Sequence, residues 1–254
     1  VFFSYDELNA HNLNQSSGLF IFHQNIRSIK QNFDQLATEL MLLNCKPDLV
    51  VLSECWLHNT HDCDYYMEGY VYHGTKMNFN QNSGTVCFVR NEIHVLEMEE
   101  IQMYGSSSLN LRIKMDNQII GILAIYRSHM RNSQEMDLFF EGLENTISTK
   151  RPNIIIGDFN FDIIDISPDY HTERYLNVMA MNGYLPYINN VTRPRDPITS
   201  EGSCLDHIFS NLANRLETAV VHSQISEHRA ILASVAVSKK ESSDSSFNVI
   251  SKKL

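Results

Sequence analysis

Residues 153–160, Asn-Ile-Ile-Ile-Gly-Asp-Phe-Asn, set a β-branched apolar run directly before Gly-Asp-x-Asn, so that a carboxylate (Asp158) and a carboxamide (Asn160) leave one strand end together. An apolar run of this kind reads as a strand covered on both faces, and open α/β sheets keep their chemistry at strand ends. Gly157 is expected to permit the sharp exit that aims both polar groups into one cleft. Gly, Asp and Asn are also turn formers, and the motif alone suits an ordinary strand stop equally well. Polar groups recur, however, at what read as the carboxyl ends of other strands: Asn25, Glu54, Tyr126, Asp206 with His207, and Glu227 with His228. Each alone is unremarkable, but together they suggest one site. Carboxylates and amide oxygens without clustered cysteines are the ligand set of Mg2+ or Mn2+ rather than zinc.

The elements that must position these groups alternate in type. Leu19–Phe22 reads as a strand ending at His23-Gln24-Asn25, Ser28 as a cap for a helix carrying Phe33, Leu36, Leu40 and Leu43, and residues 48–54 as a second buried strand delivering Glu54. Strand, helix, strand predicts a crossover unit. Residues 84–91, 94–103, 109–115 and 118–126 read as successive strands of an antiparallel meander, with Asp116-Asn117 as a turn. Met136, Phe139, Phe140, Leu143 and Ile147 fall at helical spacing in 134–149, and 172–181 is a second helix candidate. Three further strand-like stretches follow, around 205–209, 217–222 and 230–237. A layered α/β sandwich with mixed sheets is the most economical architecture. Residues 1–18 and 238–254 are polar and weakly periodic and read as linker-like segments flanking one domain, 19–237.

Composition narrows the class. The 254 residues suit one large domain, and the five cysteines lack the paired spacing of a disulfide framework or zinc site, which suggests a reducing compartment. No apolar run approaches the roughly 20 residues needed to cross a bilayer, and the Val1 start has no signal-peptide n-region, so a soluble piece of a longer chain is expected. A net charge of -10 argues against tight nonspecific DNA binding. It is compatible with a metal-dependent site, because carboxylates awaiting a cation count as bare negative charge.

The order and spacing of His23-Gln24-Asn25-Ile26-Arg27-Ser28, Pro47 to Leu57, Ala124-Ile125-Tyr126-Arg127-Ser128, Gly157 to Asn160, Ser203 to Phe209 and Ser226-Glu227-His228 resemble the endonuclease/exonuclease/phosphatase superfamily. Within it they look most like the apurinic-like endonuclease domains of non-LTR (LINE-type) retrotransposons. The resemblance spans about 19–237 and implies a four-layered α/β sandwich, two mixed β-sheets packed face to face with helices outside. It implies a DNA-nicking hydrolase that uses Mg2+ (or Mn2+), acts in the nucleus, has no membrane partner, and shares its parent polypeptide with a reverse transcriptase domain. By the same resemblance Glu54 binds the metal with Asn25 and Glu227. Asp158 and Asn160 position and activate the attacking water. His228, oriented by Asp206, polarises the scissile phosphate, and Tyr126 bonds one of its oxygens. Arg27, Arg127, Thr192 and Arg193 are the expected substrate contacts, with Arg193 and Arg195 in a loop resembling the variable hairpin that enters DNA.

One position departs from the family pattern, which has Ser-Asp-His where this chain has Ser226-Glu227-His228. The added methylene sets the carboxylate roughly 1.5 Å further from its backbone. A catalytically weakened or domesticated binding module, and an abasic-site endonuclease or small-molecule phosphoesterase, therefore stand as alternatives. Trp56 is expected to pack beneath the Glu54 loop. His11, His58, His61, His73 and His129 are expected on the surface, and Arg131 either beside the phosphate-binding face or simply in solvent.

Overall fold

The computed structural model describes residues 2–11, 13, 18–57, 65–130, 132–195, 201–212 and 215–236. The chain opens with β1 (Phe2–Phe3) and α1 (Tyr5–Ala10), followed by β2 (Gly18–Asn25), α2 (Ile29–Met41) and β3 (Leu49–Ser53). Then come β4 (Tyr70–Gly74), β5 (Val86–Arg90), β6 (His94–Ile101), β7 (Ser106–Met115), β8 (Gln118–Arg127), α3 (Ser133–Lys150) and β9 (Ile154–Asp158). The last part holds α4 (Tyr170–Met181), β10 (Leu185–Pro186), β11 (Arg193–Pro194), β12 (Gly202–Ser203), β13 (Asp206–Ser210), β14 (Leu216–Val221) and β15 (Ala230–Ala236).

These strands build a seven-stranded sheet, in the order β1-β14-β15-β2-β3-β5-β4, and a six-stranded sheet, β10-β13-β9-β8-β7-β6. Both are mixed: β2 runs parallel to β3 and β8 parallel to β9, while their other neighbours are antiparallel. Strand side chains alternate between faces, and this alternation sorts the core. Leu19 and Ile21 of β2, Leu49 and Val51 of β3, Ile122 and Ala124 of β8, and Ile154 and Ile156 of β9 meet in one cluster between the sheets. The alternate residues, Phe20 and Phe22, face outward to α2 through Leu36. Leu123, Ile125 and Ile155 face outward to Met136, Phe139, Phe140, Leu143 and Ile147 of α3 and Tyr175, Val178 and Met179 of α4. The result is the expected four-layered α/β sandwich with helices outside.

Several local expectations are corrected. Residues 2–11 are not a linker: β1 pairs with β14, and α1 carries a reciprocal Ser4/Glu7 capping box and buries Leu8. The 238–254 tail, Arg131, His58 and His61 lie outside the described residues. The meander is β6-β7-β8 only. The strand at 86–90 joins the other sheet between β3 and an unexpected β4, whose residues are only partly buried and lack clean alternation. Ser28 precedes α2 but makes no side-chain cap, since its backbone sits at φ +83°. The helix start is secured instead by Ser28 N–H donating to Glu54 C=O (2.9 Å) and Ile29 N–H to Cys55 C=O (3.1 Å), which ties the helix to the exit of β3. Among the described residues no helix is long and apolar enough to cross a membrane.

His207 shows how completely the outer layer is packed. It is buried among the rings of Phe159, Tyr175 and Phe209. Its Nε2 lies 2.9 Å from the Cys204 carbonyl, which only accepts, so the proton sits on Nε2 and the Tyr175 hydroxyl donates to Nδ1 (3.1 Å). Burial holds the ring neutral, lowering its pKa to about 4, and burial does the same at His23. The unfolded chain takes up these protons below its ordinary value of 6.5 while the folded chain does not. Stability is therefore present above about pH 6.5 and lost as pH falls toward 4, by an amount on the order of a few kcal/mol per ring. Urea unfolding of the parent and of His207→Phe at pH 7 and pH 5 is expected to show the parent losing more stability than the variant on going to pH 5, the other titrating groups cancelling in the comparison.

Candidate active site

The inner face of the sandwich changes from apolar to polar at one edge. On β2 the series Leu19, Ile21 continues into His23 and Asn25; on β8, Ala124 is followed by Tyr126; on β9, Ile156 by Asp158; and β13 begins at Asp206 before Ile208. Asp206 and His228 therefore reach the site from the amino ends of β13 and β15, not from carboxyl ends as expected. Those strands run antiparallel to β9 and β2, which brings their beginnings to the same edge.

Asn25 joins the acids. Its Nδ2 donates to Asp158 Oδ2 (2.7 Å) and Glu54 Oε2 (3.0 Å), while its Oδ1 accepts from the Arg27 N–H (3.1 Å). Asp158 Oδ1 accepts from the Asn160 N–H (3.0 Å), and the Asn160 amide donates to the Arg127 carbonyl (2.7 Å). Glu54 Oε1 receives the Trp56 indole N–H at 3.3 Å, so Trp56 orients the carboxylate as well as packing beside it. Asp206 Oδ2 pairs with His228 Nδ1 at 2.7 Å. Backbone strain concentrates here: Arg27, Ser28, Glu54, Trp56 and Asn160 all have positive φ without being glycine. Such conformations cost of order 1–3 kcal/mol each and cluster at functional sites.

Electrostatics follow from burial and proximity. Burial, then the neighbouring Asp206 charge, pushes the Asp158 carboxyl up to about 7. Burial also works against ionisation of Asp206, but the His228 charge and hydrogen bond outweigh it and hold this carboxyl below its usual range. Burial opposes the His228 imidazolium, yet the charge and hydrogen bond of Asp206 lift it to about 9. The pair is thus ionic near neutrality, with Nε2 left to donate. Burial, then Glu54 and Asp158, keeps the Tyr126 phenol protonated.

Glu54, Tyr126, Asn160, His228, Arg27, Arg193 and Glu227 line one open cleft of about 290 Å³, with Asn80, Asn82, Ser128 and His129 around them. A larger cleft of about 510 Å³, between α2 and residues 66–70, is mostly apolar, with Lys46 and Glu68 as its charged lining residues. The chemistry lies in the smaller one.

Three expected residues have other surroundings. Arg127 follows Tyr126 on β8 and so points to the opposite face. Its guanidinium donates to the Phe159 and Asn160 carbonyls and lies 3.8 Å over the Phe161 ring, with the residue 4% exposed. It braces the 158–160 exit and is out of reach of a substrate. Thr192 is fully buried; its Oγ1 accepts from the Leu205 and Asp206 N–H groups (both 3.0 Å) and its side chain hydrogen-bonds the Asp206 carboxylate. It positions Asp206 and has no open path to a phosphate. Glu227 directs its carboxylate to Arg27 (2.7 Å) and Arg193 (3.2 Å).

The acids test positively for a divalent cation. Asp158, Asp206 and His228 have ligand atoms within 4.8 Å of one another, and the buried Asp206 Oδ1 has no hydrogen-bond partner. Glu54 is the carboxylate that lines the cleft, and Asp206 Oδ1 is the buried oxygen left without a partner, so these are the oxygen donors a hard cation would meet. Both oxygens of Glu54 and of Asp158 already accept N–H groups. Asn25 offers them its nitrogen and serves as a bridge.

Gln24, Ser226 and His23 stand in the quoted motifs, but sequence reasoning gave them no role. Ser226 Oγ donates to the Asn25 carbonyl (2.7 Å) and accepts from the His228 N–H (3.1 Å), while Gln24 Nε2 donates to the Asn25 and His228 carbonyls (2.8 and 3.0 Å). His23 Nε2 pairs with Ser53 Oγ at 2.8 Å, and its Nδ1 faces Asp206 at 3.9 Å. The signal for His23 was its place two residues before Asn25, on the same strand face.

The chain belongs to the Endonuclease/Exonuclease/phosphatase family, whose sequence model matches residues 22–238. No curated protein matches it. Among solved structures it is similar to the endonuclease domain of TRAS1, a telomere-specific non-LTR retrotransposon (TM-score 0.66, 11% identity, 87% of this chain and 100% of that one). It is similar also to an AP endonuclease from Archaeoglobus fulgidus (0.64, 15%, 86% and 100%) and to D. rerio TDP2 humanized by 14 mutations (0.63, 17%, 87% and 100%). At these identities the likeness is one of fold.

Gly157 has a different role from the one expected. The strand continues through it, and the exit comes at Asn160; a Cβ on Gly157, at φ +153°, would stand 1.7 Å from the Ile125 carbonyl oxygen of β8. Gly157→Ala is expected to lose more than about 3 kcal/mol in urea unfolding, since both the backbone conformation and the parallel β8–β9 contact are violated.

Proposed function

We propose that this protein is a divalent-metal-dependent DNA endonuclease that nicks one strand by phosphodiester hydrolysis, leaving a 3'-hydroxyl and a 5'-phosphate. The observation that carries this reading is a linked acid pair (Glu54–Asn25–Asp158) and an oriented imidazolium (Asp206–His228) that meet at one cleft, which Glu54 and His228 line. A cation held by Glu54, Mg2+ or Mn2+ by its oxygen donors, would neutralise charge developing on the phosphate. Asp158, whose burial makes it more basic than an ordinary carboxylate, accepts the proton of the attacking water. Asn160 fixes that carboxylate through its backbone N–H. His228 donates from Nε2 to a phosphate oxygen, and the protonated Tyr126 phenol donates to another.

The retroelement version of this activity is supported by the motif order and by the fold shared with the TRAS1 endonuclease domain. In that setting the nick primes reverse transcription of an element in nuclear chromosomal DNA, by a polymerase domain in the same parent polypeptide. Abasic-site cleavage is the second reading, favoured by the comparable likeness of fold to an AP endonuclease.

Relaxation of supercoiled plasmid in Mg2+ tests the activity, with an abasic duplex as competing substrate. Asp158→Ala and His228→Ala are each expected to lower the rate by about a hundredfold or more while keeping the parent's circular dichroism spectrum; nicking that survives both substitutions refutes the mechanism. Because the His228 imidazolium is the donor and titrates near 9, the rate is expected to fall as pH rises through about 9.

A further inference from the structure

We propose that Arg27 and Arg193 form a phosphate-binding subsite at the mouth of the cleft, and that in the free protein Glu227 fills it as an internal anion which a backbone phosphate of the bound strand displaces. This rests on the nucleic-acid reading of the same cleft.

The geometry is that of an anion between two guanidiniums. Arg27 Nη1 meets Glu227 Oε1 at 2.7 Å, and Arg193 Nη2 meets Glu227 Oε2 at 3.2 Å, so each arginine takes one oxygen. Guanidinium forks suit carboxylate and phosphate oxygens alike, and the carboxylate therefore marks where a phosphate oxygen pair would sit. All three side chains are substantially open to solvent, at 54%, 39% and 43% for Arg27, Arg193 and Glu227. Ion pairs this exposed contribute little and are screened, so an incoming anion of higher charge can take them over.

The arginines themselves are well anchored. Arg27 sits in a tight turn at φ +44°, its N–H on Asn25 Oδ1 and its carbonyl on Asn32 Nδ2. Arg193 pairs with Ser203 in the β11–β12 ladder, directly after the buried Thr192. Their backbones need not move when the anion is exchanged. Glu227, by contrast, lies in the turn before β15 next to His228, whose ring is held by Asp206.

His228 and Tyr126 already serve the scissile phosphate, so the arginine subsite is assigned to a neighbouring, non-scissile phosphate of the same strand. In a chain of net charge -10 these are the two arginines among the described residues that line the cleft, and Glu227 cancels part of their field. Glu227 would then set how strongly DNA is held, weakening nonspecific capture in favour of sites where the strand presents a phosphate in this position.

The test is fluorescence anisotropy of a labelled DNA duplex at several salt concentrations in EDTA, which prevents cleavage. It compares the parent chain, Glu227→Gln, the double variant Arg27→Ala/Arg193→Ala, and the triple variant, each checked for an unchanged thermal melt. Glu227→Gln is expected to bind about tenfold tighter, with the log–log salt slope steeper by about one. The double variant is expected to bind more weakly, and adding Glu227→Gln to it to change nothing, because the coupling runs through the arginines. Unchanged or weaker binding by Glu227→Gln overturns the proposal, as does a gain that persists without the arginines, which would be general electrostatics. Calorimetry with inorganic phosphate separates the two levels. If Glu227→Gln gains phosphate binding but no variant binds DNA, the subsite stands and the nucleic-acid reading fails; if DNA is bound and nicked equally with and without Glu227, the reading stands and the subsite fails.

Discussion

Two carboxylates, Asp158 and Asp206, face each other as a registered pair across the β9–β13 ladder, buried at the edge of the inter-sheet core. Like charges directly opposite on a sheet repel, and burial raises the cost of each. Much of the surrounding architecture answers this repulsion. His228 and Thr192 hold Asp206 ionised, Asn25 and the Asn160 N–H bond Asp158, and its carboxyl is left close to neutrality in proton affinity. A cation here would relieve the same repulsion. The strained exit at Asn160, the Ser226 and Gln24 bridges and the turn at Arg27 hold the Asn160 N–H, His228 and Asn25 in place beside that pair.

The strand alternation that fills the space between the sheets also places the site. His23, Asn25, Tyr126, Asp158 and Asp206 continue the inner faces of strands whose other inner residues are Leu, Ile and Ala. Their chemistry is thus backed by close-packed apolar groups that keep them rigid and low in dielectric, which strengthens each charge interaction. The outer faces perform a supporting task. Arg127, lodged over Phe161, ties the backbone carbonyls of 159 and 160, so the exit after Asp158 is clamped from the helical layer behind it.

The cleft therefore has two electrostatic zones. Its floor is acidic and buried, and its mouth carries exposed arginines bridged by Glu227. A departure from the family pattern that reads from sequence as a weakened metal ligand becomes, in three dimensions, a charge at the entrance. The geometry supplies no reason to expect that the longer arm impairs the floor of the site, because Glu54, Asp158, Asp206 and His228 make their contacts without it.

Local information was enough for the elements with strong periodicity. The Ile154–Ile156 run, the α3 stripe of Met136, Phe139, Phe140, Leu143 and Ile147, and the β2–α2–β3 unit all lie where apolar spacing put them, because burial on one face writes that spacing into the chain. Of the residues that the motifs marked, Glu54, Tyr126, Asn160 and His228 line the cleft, and Asn25, Asp158 and Asp206 bond to them behind it. Sequence did not reveal that residues 2–11 dock through β1 and α1, that residues 86–90 belong with β3, or that Thr192 and Arg127 are buried braces. Those depend on which surfaces meet across the sandwich. A side chain's type and its strand parity are local properties, whereas its partner is set by register between strands distant in the chain. For that reason the sequence alone determined the fold class and the set of reactive groups, and only the tertiary structure decided that Glu227 faces two arginines and that Asp158 opposes Asp206.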